Sequence, residues 1–278
     1  MSICRSRTSP VQLLIFNASL PALACCLLFP NAIVRKLCIF QWKLKDAGCL
    51  KRIALHSILE RSSVILVYDI QSFATLAEFP RLRAKLIPYP IFTDTSFFRP
   101  REDAAQQTSS RIEIICVGDH LRDESLVALT AELMPECSFI RVSTHYQKTA
   151  AGTPSNLIVR TGLSFTELQQ LYLTADAALV LTVETSFPVG ITSVAEAVAC
   201  GLPLVATRGA GTGYFVESEN IRFVTRECSP ESVRTALVEV LLISRTTPCK
   251  HNLNQLSPEA CVQSLVELNR RLYAPNSV

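Results

Sequence analysis

From residue 111 onward, short runs of β-branched and other apolar residues alternate with longer segments whose apolar residues recur every three or four positions. Runs of the first kind are typical of strands buried on both faces, and segments of the second kind are typical of helices that cover a sheet. The alternation predicts a doubly wound α/β unit with a parallel sheet and a helical tail. The predicted strands span residues 112–117, 138–143, 156–160, 178–183, 203–207 and 221–225.

Capping residues mark where the intervening helices begin and end. Ser164 and Glu167 have the spacing of a capping box, in which each side chain accepts a hydrogen bond from the backbone amide of the other residue. Gly201 followed by Pro203 is a helix stop, because glycine takes the left-handed conformation and proline cannot continue a helix. The predicted helices span residues 123–134, 192–200, 229–243 and 257–273, and a further one begins at Ser164.

The first hundred residues carry a less regular pattern, which Pro80, Pro88, Pro90 and Pro100 interrupt. Proline fixes φ and removes a hydrogen-bond donor, so this cluster indicates the crossing from one domain to the next. We therefore expect a short first domain over residues 1–100. Its predicted elements are strands over 12–16, 37–40 and 64–67 and a helix over 51–61.

Charge is distributed unevenly along the chain. The first hundred residues contain thirteen Lys and Arg against five Asp and Glu, a net charge of +8, whereas the whole chain carries +3 and the remainder therefore −5. A basic surface attracts phosphates, anionic lipid headgroups or nucleic acid. Aromatic residues are few and do not interleave with the basic ones, so we expect no nucleic acid partner. The basic front indicates either a solvated face or peripheral contact with a membrane.

The eleven cysteines favour a reducing compartment. No two of them have C-x-x-C spacing, and Cys38, Cys116 and Cys200 lie in apolar runs, where free cysteine behaves as a small hydrophobic residue. The basic and then apolar start of the sequence is similar to a signal peptide, but proline and asparagine interrupt its apolar run. We therefore expect a cytoplasmic protein, free or membrane-peripheral, with export as the alternative.

The candidate chemistry lies after the fourth predicted strand of the second half. Gly190 precedes a predicted helix, and glycine lets the backbone approach a ligand closely. The unpaired amides and the positive dipole end of a helix start bind phosphate oxygens, so this arrangement predicts a diphosphate cradle. Glu196 follows one turn later, and its carboxylate has the two oxygens needed to accept hydrogen bonds from a sugar diol.

The run from Glu196 to Ala206, Glu-Ala-Val-Ala-Cys-Gly-Leu-Pro-Leu-Val-Ala, resembles the signature Glu-Ala-Met-Ala-x-Gly-x-Pro-Val-Val-Ala of a large family of retaining GT-B glycosyltransferases. That family is usually called family 4 or glycosyl transferases group 1. Three further stretches resemble it in the same order: 92–100 its interdomain phrase, 118–123 the first loop of its second domain, and 165–176 a helix that ends on Ala-Asp. The resemblance extends over about residues 34–244.

The resemblance implies a GT-B fold, an α/β architecture of two Rossmann-like domains with a parallel sheet in each. The first domain, 1–100, would be the shortened acceptor side, and 101–250 would bind the nucleotide sugar in the cleft between domains. The tail, 251–278, would cross back to pack on the first domain. Its buried stripe would consist of Leu265, Leu268 and Leu272.

The resemblance also implies which residues bind the donor. Arg122 is assigned to the diphosphate, because the planar guanidinium fork matches phosphate oxygens. Members of the family pair two glutamates with seven residues between them, but the position eight before Glu196 is Pro188. Glu184, displaced by four residues, is the second catalytic candidate beside Arg122. The implied donor-binding residues are Gly118, Arg122, Val189, Gly190, Ile191, Thr192 and Glu196.

Three explanations of Pro188 stay open. Glu184 replaces the first glutamate, or the amides of 189–192 bind the sugar instead, or catalysis is impaired; we favour the loop amides. The shortened front is a second departure, since Gly48 is the single glycine before Gly118 and the family carries a glycine-rich loop there.

These features predict an enzyme that transfers a sugar from a nucleotide diphosphate, with retention of configuration, to a saccharide, lipid-linked or small-molecule acceptor. The alternative is a non-catalytic nucleotide-binding or partner subunit, which Pro188 and the short front favour. No metal cofactor is expected, because the Asp-x-Asp motif does not occur. Protein cations and helix dipoles would then stabilise the leaving diphosphate.

Overall fold

The structure is a computed structural model of the 278-residue chain. Its contacts divide the chain into two compact units, the first of Met1–Pro90, Ser186–Pro188 and Glu267–Val278, the second of Ile91–Thr185 and Val189–Val266. No helix among the described residues has the length and apolar character to cross a membrane. The structure describes residues 3–4, 12–13, 15–16, 37–40, 53, 56, 59–60, 62, 64–67, 70–88, 91–100, 111–144, 153–183, 188–209, 211–212, 215, 218–246 and 256–273.

The described strands and helices are numbered in chain order. The strands are β1 Ile3–Cys4, β2 Gln12–Leu13, β3 Ile15–Phe16, β4 Leu37–Phe40, β5 Val64–Val67, β6 Leu86–Pro88, β7 Ile112–Val117, β8 Cys137–Val142, β9 Leu157–Arg160, β10 Ala177–Val180, β11 Leu204–Thr207 and β12 Ile221–Val224. The helices are α1 Ile70–Ala77, α2 Pro80–Arg83, α3 Glu124–Glu132, α4 Phe165–Thr174, α5 Ile191–Ala199, α6 Pro230–Thr246 and α7 Pro258–Tyr273.

The second unit is built on a six-stranded sheet in the order β12-β11-β10-β7-β8-β9, with every neighbouring pair parallel. The chain starts in the middle at β7, moves outward to β9, and then returns to β10 on the other side of β7. The order therefore reverses between β7 and β10, which is the topological switch point of a doubly wound sheet. The parallel α/β unit predicted from the sequence is confirmed.

Both faces of this sheet are covered, because successive strand residues point to opposite sides. Ile114 and Cys116 belong to one hydrophobic core with α3 and α6, whereas Ile115 belongs to another with α4 and α5. The apolar residues of such a strand therefore point to both sides of the sheet, and this produces the apolar runs that are visible in the sequence.

The end of β10 differs from the prediction. The apolar run continues to Val183, but the strand ends at Val180 because the next residues pair with the loop after β7 instead. Thr182 forms an antiparallel bridge with Arg122, and its amide donates to Oγ1 of Thr207 at 3.1 Å. The apolar run is therefore a strand up to Val180, followed by a segment that runs along the carboxyl edge of the sheet.

The capping box at the start of α4 is confirmed. The Glu167 amide donates to Oγ of Ser164 at 3.3 Å, and the Ser164 amide donates to the Glu167 carboxylate at 2.7 Å. Hydrogen bonds from the Ser164 hydroxyl and amide hold the pKa of Glu167 below its usual value. Two of the unpaired polar groups of the helix end are thus satisfied locally.

The first unit contains a four-stranded sheet in the order β3-β4-β5-β6, again parallel throughout. The strands predicted over 37–40 and 64–67 are confirmed, but α1, α2 and β6 were missed. Pro80 is at a helix start and Pro88 ends a strand at the edge of the described sheet, positions where the missing N–H costs little. These prolines therefore belong to regular elements of the unit.

The predicted tail helix is present as α7. Leu265 is half-buried, while the side chains of Leu268 and Leu272 lie outside the described part of the chain. The packing of this helix on the first domain stays a prediction.

A buried arginine fixes the carboxyl ends of β7 and β8. Arg141 is 1% exposed, and its Nε donates to Glu124 Oε2 at 2.8 Å, while Nη2 donates to Glu124 Oε1. Nη1 donates to the carbonyls of Cys116 and Val142, at 3.2 and 2.6 Å, and Nη2 donates to the carbonyl of Gly118 at 2.6 Å. These five bonds match the five N–H groups of a guanidinium.

We expect Arg141→Leu to lower the free energy of unfolding by about 3–5 kcal/mol. The substitution leaves the Glu124 carboxylate without its cation and removes the side-chain donor of three strand-end carbonyls. The measurement is urea unfolding followed by circular dichroism, with Arg234→Leu, at an exposed position of α6, as the matched control. Equal losses in the two variants would contradict the assigned role of Arg141.

Candidate functional site

The candidate site lies at the switch point of the second unit. Gly118 follows β7, and Gly190 lies between β10 and α5, so both glycines are at the carboxyl edge where the strand order reverses. Ligands of open α/β sheets bind outside the carboxyl ends of the strands at this point. The fold thus brings together two predicted residues that are 72 positions apart in the sequence.

Gly118 and Arg122 are in direct contact. Gly118 has φ of +119°, and a Cβ placed on it would lie 2.1 Å from Nη2 of Arg122. The guanidinium therefore occupies the space that the Cβ of any other residue would fill. Only glycine combines this backbone angle with this contact.

The Arg122 side chain is held by three protein acceptors. Nε donates to the carbonyl of Val117 at 3.0 Å, Nη1 to the carbonyl of His120 at 3.2 Å, and Nη2 to Oγ of Ser193 at 3.0 Å. Burial, and then the positive charge of Arg141, lower the pKa of Arg122 from its usual value, yet an arginine keeps its charge. The cation is therefore fixed beside the first turn of α5.

The loop that carries Arg122 is also pinned through its backbone. The Asp123 amide donates to the carbonyl of Leu181, and the Val183 amide donates to the carbonyl of Leu121, both at 3.1 Å. Leu121 has φ of +52°, a conformation that is uncommon for a residue with a Cβ. The surrounding hydrogen bonds hold it there, so the loop has one defined shape.

Gly190 is the N-cap of α5, with φ of +81° and no side chain to cap the helix. A Cβ on it would lie 3.1 Å from Cγ1 of Val180 and 3.4 Å from Cγ2 of Thr182. The helix start is therefore pressed close to the end of β10. The amides of its first turn have no acceptor within the helix, which is the property that makes such a terminus bind anions.

Ser193 connects the two halves of the site, and sequence reasoning missed it. The side chain is buried, its Oγ donates to the carbonyl of Val117 at 3.2 Å, and the same oxygen accepts the bond from Arg122. A small hydroxyl in the first turn of α5 therefore sets the distance between that helix and the end of β7. A polar residue among apolar ones, one turn before Glu196, was the available signal.

Glu196 is half-buried in the middle of α5 and accepts a hydrogen bond from the hydroxyl of Tyr172, with 3.0 Å between Oη and Oε2. Burial raises the pKa of Glu196, and the Tyr172 bond and the charge of Arg122 act in the opposite direction. Burial also raises the pKa of Tyr172, so the phenol stays protonated and donates.

The remaining predicted residues surround the helix start. Val189 and Ile191 are half-buried and Thr192 is exposed, whereas Glu184 lies outside the described residues. Within the described ranges, no group of three or more His, Cys, Asp or Glu side chains has the arrangement to hold a metal ion.

Solved glycosyltransferase structures share this architecture. Sucrose-phosphate synthase from Thermosynechococcus elongatus matches with a TM-score of 0.73 at 15% identity, over 95% of this chain and 74% of its own. HepE from Anabaena, determined with UDP, matches with 0.73 at 13% identity, over 93% of this chain and 78% of its own. A glycosyltransferase from Rickettsia africae matches with 0.67 at 12% identity, over 95% and 77%.

No protein-family profile and no curated protein sequence matches the chain. At 12–15% identity the structural likeness concerns the fold, and the chain therefore has the GT-B fold of these glycosyltransferases. The fold class predicted from the sequence is confirmed by this likeness, together with the six-stranded parallel sheet and the smaller parallel sheet.

We expect Gly118→Ala to destabilise the protein more than Gly162→Ala. Both glycines have positive φ, which costs an alanine about 1–2 kcal/mol, but a Cβ at Gly162 would meet nothing within 4 Å. At Gly118 the added carbon displaces Arg122, so we expect about 1–3 kcal/mol in addition. Urea unfolding of both variants gives the comparison, and equal free energies of unfolding would show that the Arg122 contact is dispensable.

Proposed function

We propose that this chain is a glycosyltransferase whose second unit binds a nucleotide-diphosphate sugar at the carboxyl edge of β7 and β10. The observation that carries the proposal is the position of Gly118, Arg122 and the start of α5 at the switch point of the sheet. In the reaction, the bond from the anomeric carbon to the diphosphate breaks and a bond to an acceptor oxygen forms with retention of configuration. The acceptor hydroxyl loses its proton, and the diphosphate leaves as an anion.

The leaving diphosphate is the group that this site must stabilise. We assign it to the first-turn amides of α5, reached across Gly190, and to the charge of Arg122 beside them. Because at least three N–H groups of Arg122 already donate to the protein, its contribution is a fixed positive charge beside the phosphates more than a two-pronged contact. No metal cofactor is needed in this scheme, since the helix and the guanidinium supply the positive charge.

Glu196 is assigned to hydroxyl groups of the donor. Its carboxylate is half-buried, one turn beyond Ser193 on the helix whose first turn receives the phosphates. A charged acceptor in a partly buried site gives a hydroxyl a hydrogen bond worth about 1.5–3 kcal/mol. Val189, Ile191 and Thr192 complete the donor-binding residues of the proposal.

The structural neighbours support a nucleotide sugar as the donor. HepE was determined with UDP, with UDP-glucose, and with UDP and glucose. UDP and UDP-glucose are therefore the first ligands to test on this chain, with GDP and ADP as competing bases. A saccharide or another small hydroxylated molecule is the corresponding acceptor, and a lipid-linked sugar is the variant favoured by the basic front.

The second candidate is a nucleotide-binding protein of the same fold without transferase activity. Pro188, at the place of the first family glutamate, is the observation that favours it. Both candidates use the same nucleotide site, so binding alone does not separate them and turnover does.

We expect UDP to bind the wild type, and Glu196→Gln to weaken UDP-glucose by about tenfold, since about 1.4 kcal/mol is lost with the charged acceptor. Isothermal titration gives the affinities, and Glu239→Gln, at an exposed position of α6, is the matched control. If none of UDP, GDP and ADP binds the wild type, the proposed function is wrong. If a nucleotide binds but no donor is turned over, the non-catalytic alternative holds.

A pair of variants tests which group takes the role of the first family glutamate, which is absent at position 188. If the amides of 189–192 bind the sugar, Glu184→Gln leaves turnover of the donor unchanged, and Pro188→Glu leaves it flat or lowers it. Loss of turnover by about 100-fold or more in Glu184→Gln would instead assign the catalytic role to the displaced glutamate. A gain of turnover in Pro188→Glu would indicate a decayed enzyme.

We further propose that the protein is cytoplasmic and that its first unit contacts anionic membrane surfaces. Ile53 is 62% exposed and Phe79 is 37% exposed. The segments that carry these two residues are in contact at two points. The His56 ring lies edge-on to the Phe79 ring, with 4.5 Å between centroids, and Arg81 forms an ion pair with Glu60 at 3.7 Å. Exposed apolar side chains beside basic ones are what interfacial binding to anionic lipid requires.

We expect the chain to co-sediment with phosphatidylserine-containing vesicles, and salt to weaken the binding by screening. Replacing both Ile53 and Phe79 by serine should lower the partition coefficient by at least about fivefold, because the buried apolar area is lost. Leu242→Ser, at a 59% exposed apolar position of the second unit, is the matched control. Equal binding to vesicles of phosphatidylcholine alone would contradict the proposal.

A further inference from the structure

We propose that Tyr172 is a positioning residue, which fixes the Glu196 carboxylate for the donor and connects it to the segment 91–98 at the start of the second unit. The inference rests on the proposed function, because it concerns how the assigned donor-binding carboxylate is oriented. The donor-site signature does not include this tyrosine, because Tyr172 lies on the preceding helix, α4.

The carboxylate of Glu196 is held on one of its two oxygens. Oε2 receives the Tyr172 hydroxyl at 3.0 Å, and a carboxylate offers a second oxygen, Oε1, as an acceptor. Tyr172 is 1% exposed, whereas Glu196 is only half-buried. The hydrogen bond therefore anchors the carboxylate from the protein interior, and we assign Oε1 to a hydroxyl of the ligand.

The direction of the Tyr172 hydroxyl depends on how its ring is packed. The ring meets Phe98 edge-on, with 5.9 Å between centroids and 89° between planes, and Phe98 meets Phe97 in the same manner at 5.0 Å. Nε2 of Gln169, on the same helix as Tyr172, donates to the carbonyl of Phe97. The two phenylalanines are thus fastened to α4 while they support the tyrosine ring.

The supporting segment is itself ordered by local hydrogen bonds. Oδ1 of Asp94 accepts bonds from the amides of Ser96 and Phe97, both at 3.0 Å, and the Thr93 amide donates to the carbonyl of Leu256 at 2.9 Å. The ordered turn positions the two phenylalanine rings, these rings position the Tyr172 phenol, and the phenol positions Glu196. Displacement of this segment would rotate the ring of Tyr172 and so move the carboxylate.

The charges around Glu196 determine what the loss of the hydroxyl does. Burial raises the pKa of the Glu196 carboxyl, and two titratable groups, Tyr172 and Arg122, lower it. Glu196 in turn adds to the raised pKa of Cys200, which burial chiefly causes. The Tyr172 bond stabilises the ionised form of Glu196 and so lowers its pKa. Without it, Glu196 takes up a proton at a higher pH, and a protonated carboxyl is a poorer acceptor for a donor hydroxyl.

The test compares Tyr172→Phe, Glu196→Gln and the double variant by titration with UDP-glucose between about pH 5 and pH 8. We expect Tyr172→Phe to bind about tenfold more weakly at neutral pH, and its affinity to fall with decreasing pH from a higher midpoint than in the wild type. In the Glu196→Gln background the same change should have no further effect, because its action passes through the carboxylate.

Thr130→Val is the matched control, since it also removes a buried hydroxyl, one that donates to Leu126 O at 2.7 Å within α3 on the opposite face of the sheet. It should lower stability without moving the affinity or its pH midpoint. Should Tyr172→Phe not fold, Phe98→Leu keeps the hydroxyl, loosens the ring, and is expected to shift the midpoint in the same direction.

The outcomes separate this inference from the proposed function. If Glu196→Gln binds UDP-glucose as tightly as the wild type, the assignment of Glu196 to the donor is wrong, and the positioning role is wrong with it. If Glu196→Gln is weakened but Tyr172→Phe retains both the affinity and the midpoint of the wild type, the positioning role alone is overturned. Additive losses in the double variant would overturn it as well.

Discussion

The carboxyl ends of β7 and β8 are drawn together by the buried guanidinium of Arg141, and the loop of the candidate site is built on that contact. Strand carbonyls at the end of a parallel sheet need donors when they are buried, and here the carbonyls of Cys116, Gly118 and Val142 receive them from one side chain. Glu124 neutralises the cation, so although burial lowers the pKa of Arg141, the bond to Glu124 raises it above its usual value. The carbonyl of Gly118 therefore cannot rotate away, and the turn that starts there has a fixed origin.

A second arginine approaches the same strand end from the side of α5. Arg122 donates to the carbonyl of Val117, which lies between Cys116 and Gly118, two of the residues whose carbonyls accept from Arg141. Two like charges near one strand end repel, and the repulsion from Arg141 contributes to the lowered pKa of Arg122. The arrangement is tolerated because Glu124 compensates one charge, while among the described residues Arg122 donates to two carbonyls and a hydroxyl. A guanidinium fixed in this way by neutral acceptors is a positive charge that an anionic ligand would neutralise.

Much of this fold follows from the sequence pattern. The strands of the six-stranded sheet were predicted from their apolar runs, which in β10 and β11 reflect burial on both faces. Ser164 and Glu167 identified the start of α4 through local hydrogen bonds alone. The pattern did not predict α2 and β6, because prolines interrupt it there. It also extended β10 too far, because residues 181–183 leave the sheet to pair with the loop after β7. In the site, Gly190 could be found from its place before a predicted helix, and Gly118 and Arg122 from the resemblance of residues 118–123 to the family's loop. The roles of Arg141, Ser193 and Tyr172 could not be assigned, because Glu124, Val117 and Glu196, to which they bond, lie 17, 76 and 24 positions away in the sequence. The available signals were an arginine within an apolar strand and a serine among the apolar residues of a helix.

The side chains that order the candidate site are also those that stabilise the unit. Ser193 joins α5 to β7, Arg122 joins that bond to the Gly118 turn, and Tyr172 fixes Glu196 one turn further along the same helix. The donors and acceptors are therefore already in position, and a ligand would not have to order them, which spares the entropy of fixing flexible side chains on binding. This double role constrains evolution of the site, because a substitution at Gly118, Arg122 or Ser193 that alters specificity also removes a hydrogen bond or a close contact from the core. Specificity can change more freely at Thr192, which is exposed on the first turn of α5 and forms none of these interior bonds among the described contacts.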